Sequence, residues 1–270
     1  MHVILHPGFH KTGTSSLQRG LAANTNILSS RLQWVFMTEM PHVIRTTRRY
    51  SRKPKPNNLE MFGAEFEIFM AGLKPDPALP LLITSEDLSG HIPGKFEVKT
   101  YAASSALMDR AVDVVHARFG TGTVIDIWYT TRAPEAWQRS VYYQLLRGTR
   151  MRDDFATYSS KYSEASALEN VVAETKRLVG NKANVDSGRL EDCAETALGP
   201  LGAFLERYGI SSKSLPSLPV ENVQPKGAAE ELLAINRSAL DDEAARDAKR
   251  HVLKRYRGTG ATKLRVREEP

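Results

Sequence analysis

The stretch that most constrains this chain is Leu5-His6-Pro7-Gly8-Phe9-His10-Lys11-Thr12-Gly13-Thr14-Ser15-Ser16-Leu17-Gln18. A short apolar run, Val3-Ile4-Leu5, enters a loop with glycines at 8 and 13, and Leu17, Leu21 and Leu28 then share one helical face. Strand, glycine loop and helix N-terminus in that order make an anion cradle, because backbone N–H groups and the helix dipole converge on one point. The spacing Gly8-x4-Gly13 is that of a nucleoside-triphosphate loop, in which Lys and Ser/Thr come next. Here Thr14 and Ser15 follow, and the lysine sits inside the loop at position 11. So placed, it does not span β- and γ-phosphates but lies over the 5′ end of a shorter ligand.

Strand signals alternate with helical ones through the first half. Leu32–Met37, Leu79–Thr84 and Val124–Thr130 read as strands, the last being the strongest. Phe62, Phe66, Phe69 and Leu73 mark one helix, and Tyr101, Met108, Val112, Val115 and Phe119 another. This alternation predicts βαβ units and a parallel sheet. From about residue 160 the pattern reads as helical, with faces at Leu168/Val171/Val172/Val179 and Leu201/Leu205/Tyr208. Ser214–Pro225, with three prolines, reads as an extended connection, and two more helices are expected around 228–239 and 243–256. The expected fold is a three-layer α/β/α domain over 1–270 with a central parallel sheet, resembling P-loop nucleotide hydrolases. Residues 1–150 form its cofactor-binding core, and 151–270 a mostly helical cover with a basic tail.

Arg132 stands just past the strong strand, at the C-terminal end where parallel sheets bind ligands. Pro134 opens a helix, and Ser140 follows the arginine by eight residues, so a guanidinium and a hydroxyl can converge on one phosphate.

Charge and composition narrow the classes. With 270 residues, 41% hydrophobic and 25% charged, the chain suits one soluble domain. Its single cysteine, Cys193, excludes an internal disulfide or a cysteine-based zinc cluster and suits a reducing cytoplasm. No signal-peptide pattern and no membrane-spanning apolar run is read. The net charge of +6 is uneven. Arg45, Arg48, Arg49, Arg52, Lys53 and Lys55 crowd Met40–Leu59 with no acid, and nine bases with one acid fill Arg246–Arg267. With Pro54 and Pro56 inside it, the first cluster reads as a long loop, a lid or acceptor-binding segment. Such clusters suit a solvated surface, an anionic membrane or a polyanionic substrate; no nucleic-acid-reading motif adjoins them, so nucleic acid is not expected as a partner.

The loop "GFHKTGTSSLQ" resembles the 5′-phosphosulfate loop of the sulfotransferases, the bacterial members in particular. "RAPEAWQRSVYYQ" is similar to their 3′-phosphate motif, with the same arginine-to-serine spacing. The resemblance covers about the first 150 residues. It implies a sulfuryl donor, 3′-phosphoadenosine 5′-phosphosulfate, held by His10, Lys11, Thr12, Gly13, Thr14, Ser15, Arg132 and Ser140. It further implies in-line attack by an acceptor hydroxyl or amine, with Lys11 stabilising charge at the bridging oxygen; no metal is expected, because the triphosphate-loop lysine and a convincing metal aspartate are both missing. The base expected by position is Glu86, at the end of the third strand, with Glu39, His10 and His91 as alternatives. Arg257-Gly258-Thr259-Gly260 is at most a weak form of the family's C-terminal glycine-rich element. The acceptor is left open between an anionic glycan and a small alcohol, and so is oligomeric state. Two rival readings stay in view: a P-loop small-molecule kinase with Glu86-Asp87 as a metal pair, and a non-catalytic nucleotide- or polyanion-binding protein.

Overall fold

The computed structural model describes all residues except 195, 217–218, 221–226, 258–262 and 265–270. Among them, five strands form one all-parallel sheet in the order β2-β3-β1-β4-β5. These are β1 (His2–His6), β2 (Gln33–Phe36), β3 (Leu81–Thr84), β4 (Val124–Thr131) and β5 (Asn184–Arg189). The helices between β1 and β3 are α1 (Thr14–Ala23), α2 (Thr25–Leu28), α3 (Pro41–Arg52) and α4 (Pro56–Gly72). After β3 come α5 (Ala103–Phe119), α6 (Pro134–Gly148), α7 (Phe155–Lys161) and α8 (Leu168–Val179). The last four are α9 (Leu190–Ala194), α10 (Pro200–Arg207), α11 (Ala228–Arg237) and α12 (Asp242–Arg257). A separate antiparallel ribbon pairs β6 (Pro219–Val220) with β7 (Lys263–Leu264).

The side chains of the central strands alternate between two cores, as strand geometry requires. Val3, Leu5, Leu81, Ile83, Ile125, Ile127 and Tyr129 pack under α4, α5, α6 and α8. Ile4, Leu82 and Trp128 face the opposite way, onto Leu17 and Leu21 of α1 and Leu201, Phe204 and Leu205 of α10. The result is the expected three-layer α/β/α arrangement. β1 lies between β3 and β4 with Leu5 in register with both Ile83 and Ile127. The chain leaves β1 toward one edge of the sheet and reaches the other from β4, so the crevice beyond these strand ends lies at the topological switch point.

Two expectations need correcting. The basic segment 41–52 is not a loop but a helix. Pro41 sits at its first turn, Val43, Ile44 and Thr47 turn inward, and the Thr46 and Thr47 hydroxyls bond carbonyls three residues back. Pro54, which cannot continue a helix, confines the break to three residues before α4 starts at Pro56. The second half is not wholly helical either: β5 adds a fifth parallel strand beside β4, from Asp126↔Asn184 to Thr131↔Arg189. Asn184-Val185-Asp186-Ser187-Gly188-Arg189 has one buried apolar residue, Val185, and therefore no hydrophobic signal. An edge strand needs none: its ladder comes from β4, and Glu169 on α8 accepts from Thr131 Oγ1 (2.6 Å) and Ser187 Oγ (3.0 Å) to stitch the two strands.

Candidate active site

The loop after β1 is fastened from below and open above. His6 is wholly buried, bonds Thr84 Oγ1 at 2.8 Å and stacks on Trp128; burial pushes its imidazole down to about 3, so it is neutral. Thr12 Oγ1 donates to the Phe9 carbonyl at 2.6 Å and lies 2.8 Å from Thr130 Oγ1 on β4. The next two carbonyls are caught from neighbouring elements. Trp137 Nε1 donates to His10 O (2.9 Å), and Arg132 Nη1 donates to Lys11 O (3.1 Å). Three successive carbonyls are thus turned toward protein donors. Among the described residues, the backbone N–H groups of Lys11, Thr12, Gly13, Thr14 and Ser15 have no acceptor, while Ser16 and Leu17 already bond Gly13 O. A run of open N–H groups passing into a helix N-terminus is an anion nest.

Both glycines are required by this geometry. A Cβ on Gly8, at φ +49°, would lie 2.4 Å from Thr14 Oγ1. One on Gly13, at φ +103°, would meet Leu190 and Pro200 at 2.9 Å. Lys11 also has a positive φ, +69°, which costs a non-glycine residue about 1–2 kcal/mol. The bonds to its carbonyl and to that of His10 hold it there. The hydroxyl of Thr14 is buried and without a partner among the described residues, so the cradle keeps one side-chain donor in reserve beside the open N–H groups.

Charged groups close around the cradle. Burial lowers the pKa of the Lys11 ammonium, opposed by Glu86 and reinforced by Arg147, Arg132 and Arg19. Burial likewise lowers that of Arg132, with Glu191 opposing. Glu191 Oε1 accepts from Ala133 N at 3.0 Å and so fixes the chain next to the arginine. At the end of β3, Glu86 opens a 3-10 turn (Glu86–Ser89) whose N-cap, Ser85, accepts from Asp87 N. Burial and the neighbouring Asp87 push the Glu86 carboxyl up to about 7, against the pull of Lys11 and Arg48. A carboxyl poised there can both take and return a proton near neutrality. Asp87 is otherwise engaged: Arg48 Nε and Nη2 each donate to one of its oxygens at 2.8 Å.

The remaining sequence candidates fall in different places. Ser15 is exposed on the first turn of α1, and Ser140 is half-buried on α6, making no hydrogen bond to Arg132 or the loop among the described residues. His10 is mostly buried, its Nδ1 2.9 Å from Tyr101 Oη and its Nε2 3.8 Å from Asp87; burial pushes it down to about 4. His91 is also pushed down to about 4 by burial, and it lines a separate cleft. Glu39 is exposed on its own turn, with Oε2 accepting from Phe36 N at 2.9 Å. Gly258, Thr259 and Gly260 lie outside the described residues.

Several residues at the site escaped the sequence reading. The Tyr101 hydroxyl accepts from His10 N, Trp137 anchors the loop, and Arg48 holds Asp87. Arg147 adds charge near Lys11, with its Nε buried and unpartnered among the described residues. One signal was available for it: Arg147 follows Ser140 by seven residues, two helical turns, and so shares its face of α6.

Beside the cradle, a cleft of about 1090 Å³ runs along α3 and the start of α4, with Arg45, Arg48, Arg49, Arg52, Lys53 and Lys55 on its walls. No helix among the described residues is long and apolar enough to cross a membrane. Comparison with known proteins finds no matching family model, no matching curated protein and no matching solved structure.

Proposed function

We propose that the protein is a nucleotide-dependent group transferase whose donor sits at the end of β1. The particular activity we assign is sulfuryl transfer from 3′-phosphoadenosine 5′-phosphosulfate to an acceptor hydroxyl or amine. The observation that carries this reading is the pairing of the Lys11–Ser15 N–H nest with Arg132, which donates to the carbonyl of the loop's own lysine. A short cradle with the lysine inside it suits a 5′-phosphosulfate. A guanidinium beside it suits a second phosphate on the same nucleotide, with Ser140 on the following helix as its further ligand.

In this reading the protein supplies position and charge. The nest, with the Thr14 hydroxyl, binds the 5′-phosphate. Thr12 contributes its N–H, its hydroxyl being committed to Phe9 and Thr130. Lys11 stabilises the charge that develops on the bridging oxygen as the sulfur–oxygen bond to the nucleotide breaks. Glu86 accepts the proton of the acceptor as its oxygen or nitrogen bonds to sulfur. His10, neutral and held by Tyr101, keeps the loop in shape rather than moving a proton. The kinase reading has less support, because Asp87, which it needs as a metal ligand, has both oxygens taken by Arg48.

Calorimetric titration without magnesium tests the assignment. 3′-Phosphoadenosine 5′-phosphate is expected to bind at least about tenfold more tightly than ATP, a difference of about 1.4 kcal/mol. Tighter binding of ATP, once magnesium is added in a parallel titration, would place the protein among the kinases instead.

A further inference from the structure

The cleft along α3 and α4 is the strongest charged feature outside the cradle. Arg45, Arg49, Arg52, Lys53 and Lys55 are exposed, and none has a carboxylate partner among the described residues. Their protein contacts are with an imidazole, an amide oxygen and an aromatic ring. Arg45 bonds the His42 ring at 2.8 Å, Arg49 donates to Asn58 Oδ1 at 2.8 Å, and Arg52 lies 4.7 Å over the Phe96 ring. Asn58 is buried and donates to Lys53 O at 2.7 Å, tying the end of α3 to the start of α4. The backbone beneath these charges is therefore fixed, while the charges themselves are left for a ligand.

Position links the cleft to the chemistry. Arg48 is on its wall and grips Asp87, the residue next to Glu86. His91, on the same wall, is neutral and is held through its N–H by Ser51 Oγ at 3.0 Å. A ligand lying along α3 thus has one end at Arg48, whose partner Asp87 is next in sequence to the carboxyl proposed as the base.

Resting on the transferase reading above, we infer that this cleft is the acceptor site, and that the acceptor is an oligosaccharide bearing several carboxylate or sulfate groups. Three observations support that class. Five bases without counter-ions match several anions rather than one. A volume of about 1090 Å³ exceeds what a single small alcohol fills. The lining holds no Phe, Tyr or Trp, and the nearby Phe96, 51% exposed, lies outside it with Arg52 and Lys95 against its ring, so the cleft walls offer the bases of a nucleic acid no ring to stack on.

The test is a titration of the full chain, with and without 3′-phosphoadenosine 5′-phosphate, at low ionic strength. The probes are a galacturonate hexamer, neutral maltohexaose and an oligothymidylate of equal charge. The expected result is binding of the galacturonate at least about tenfold tighter than of either other probe, weakening as salt is raised. Lys53→Ala combined with Lys55→Ala, both exposed and without side-chain hydrogen bonds among the described residues, is expected to lower that affinity about tenfold. Nucleotide affinity and melting temperature should not change in this double variant. Equal binding of maltohexaose, tighter binding of oligothymidylate, or unchanged galacturonate affinity in the double variant would each overturn the inference. The two readings fail separately: a lost donor site shows as absent nucleotide binding with galacturonate binding intact, and a lost acceptor site as the reverse.

Discussion

The cradle and the cleft both collect positive charge, but they are built in opposite ways. The cradle is made of backbone, with carbonyls anchored by Thr12, Trp137 and Arg132, glycines in conformations no other residue takes easily, and a lysine held at φ +69°. The cleft is made of long side chains on α3, the short break after it and the start of α4, five of them exposed and without a carboxylate partner among the described residues. A preorganised backbone nest fits one invariant ligand; mobile charges fit a variable one. On the proposed reading, the donor belongs to the first region and the acceptor to the second. It also predicts that cradle substitutions act strongly and one at a time, whereas cleft substitutions act weakly and in sum.

The largest effect expected is that of Lys11→Ala, which should lower turnover by about 10²–10³-fold, the loss seen when a group aimed at developing charge is removed. Its melting temperature should not fall, and Lys11→Gly should lose as much turnover while melting no lower, because glycine alone sheds the left-handed backbone penalty that alanine, like lysine, keeps. A drop of several degrees in Lys11→Gly would mean that the lysine is structural. Glu86→Gln comes next, with about 10²-fold lower turnover and intact nucleotide affinity.

Its pH dependence provides a check that does not rest on activity. The folded-state carboxyl titrates near 7, above its ordinary 4.5, so the native state binds more protons than the unfolded one across that interval. Wild-type stability should therefore decline as pH rises from about 4.5 through about 7 relative to Glu86→Gln. The variant's melting temperature should exceed wild type at pH 8 and match it at pH 4. Turnover, in contrast, should rise over the same interval as the base ionises. An identical pH–stability curve in both proteins would remove Glu86 from the buried site.

Arg132→Lys keeps the charge but loses the planar fork, and about a tenfold loss of nucleotide affinity is expected by calorimetry. The smallest single effects belong to the cleft. Arg45→Ala or Arg52→Ala alone should change acceptor KM no more than about threefold, with an effect that fades as salt rises. A single cleft variant as damaging as Lys11→Ala would erase the contrast between the two regions.

The sheet's centre could be read from sequence because Val3-Ile4-Leu5, Leu81-Leu82-Ile83 and the run through Val124–Thr130 are apolar on both faces. Its edge could not, since β5 buries only Val185 and owes its conformation to β4. The α3 helix was obscured for a different reason. Its inward face is short and partly threonine, its outward face is all charge, and its prolines lie at the ends where helices accept them. At the site, the loop announced itself through glycine spacing, because local backbone geometry is a local property of sequence. The side chains that hold it were hidden: Tyr101 and Trp137 lie 91 and 127 residues away from His10, and only the fold brings them there.

The central claim is that the N–H groups of Lys11 to Ser15 hold the nucleotide's 5′ end. Backbone amide resonances, followed while 3′-phosphoadenosine 5′-phosphate is added to the isotope-labelled protein, test it directly. The amides of Lys11, Thr12, Gly13, Thr14 and Ser15 are expected to show the largest shifts, those of α3 to barely move, and Arg132→Ala to weaken the titration. Largest shifts along α3, with the loop amides unchanged, would contradict it.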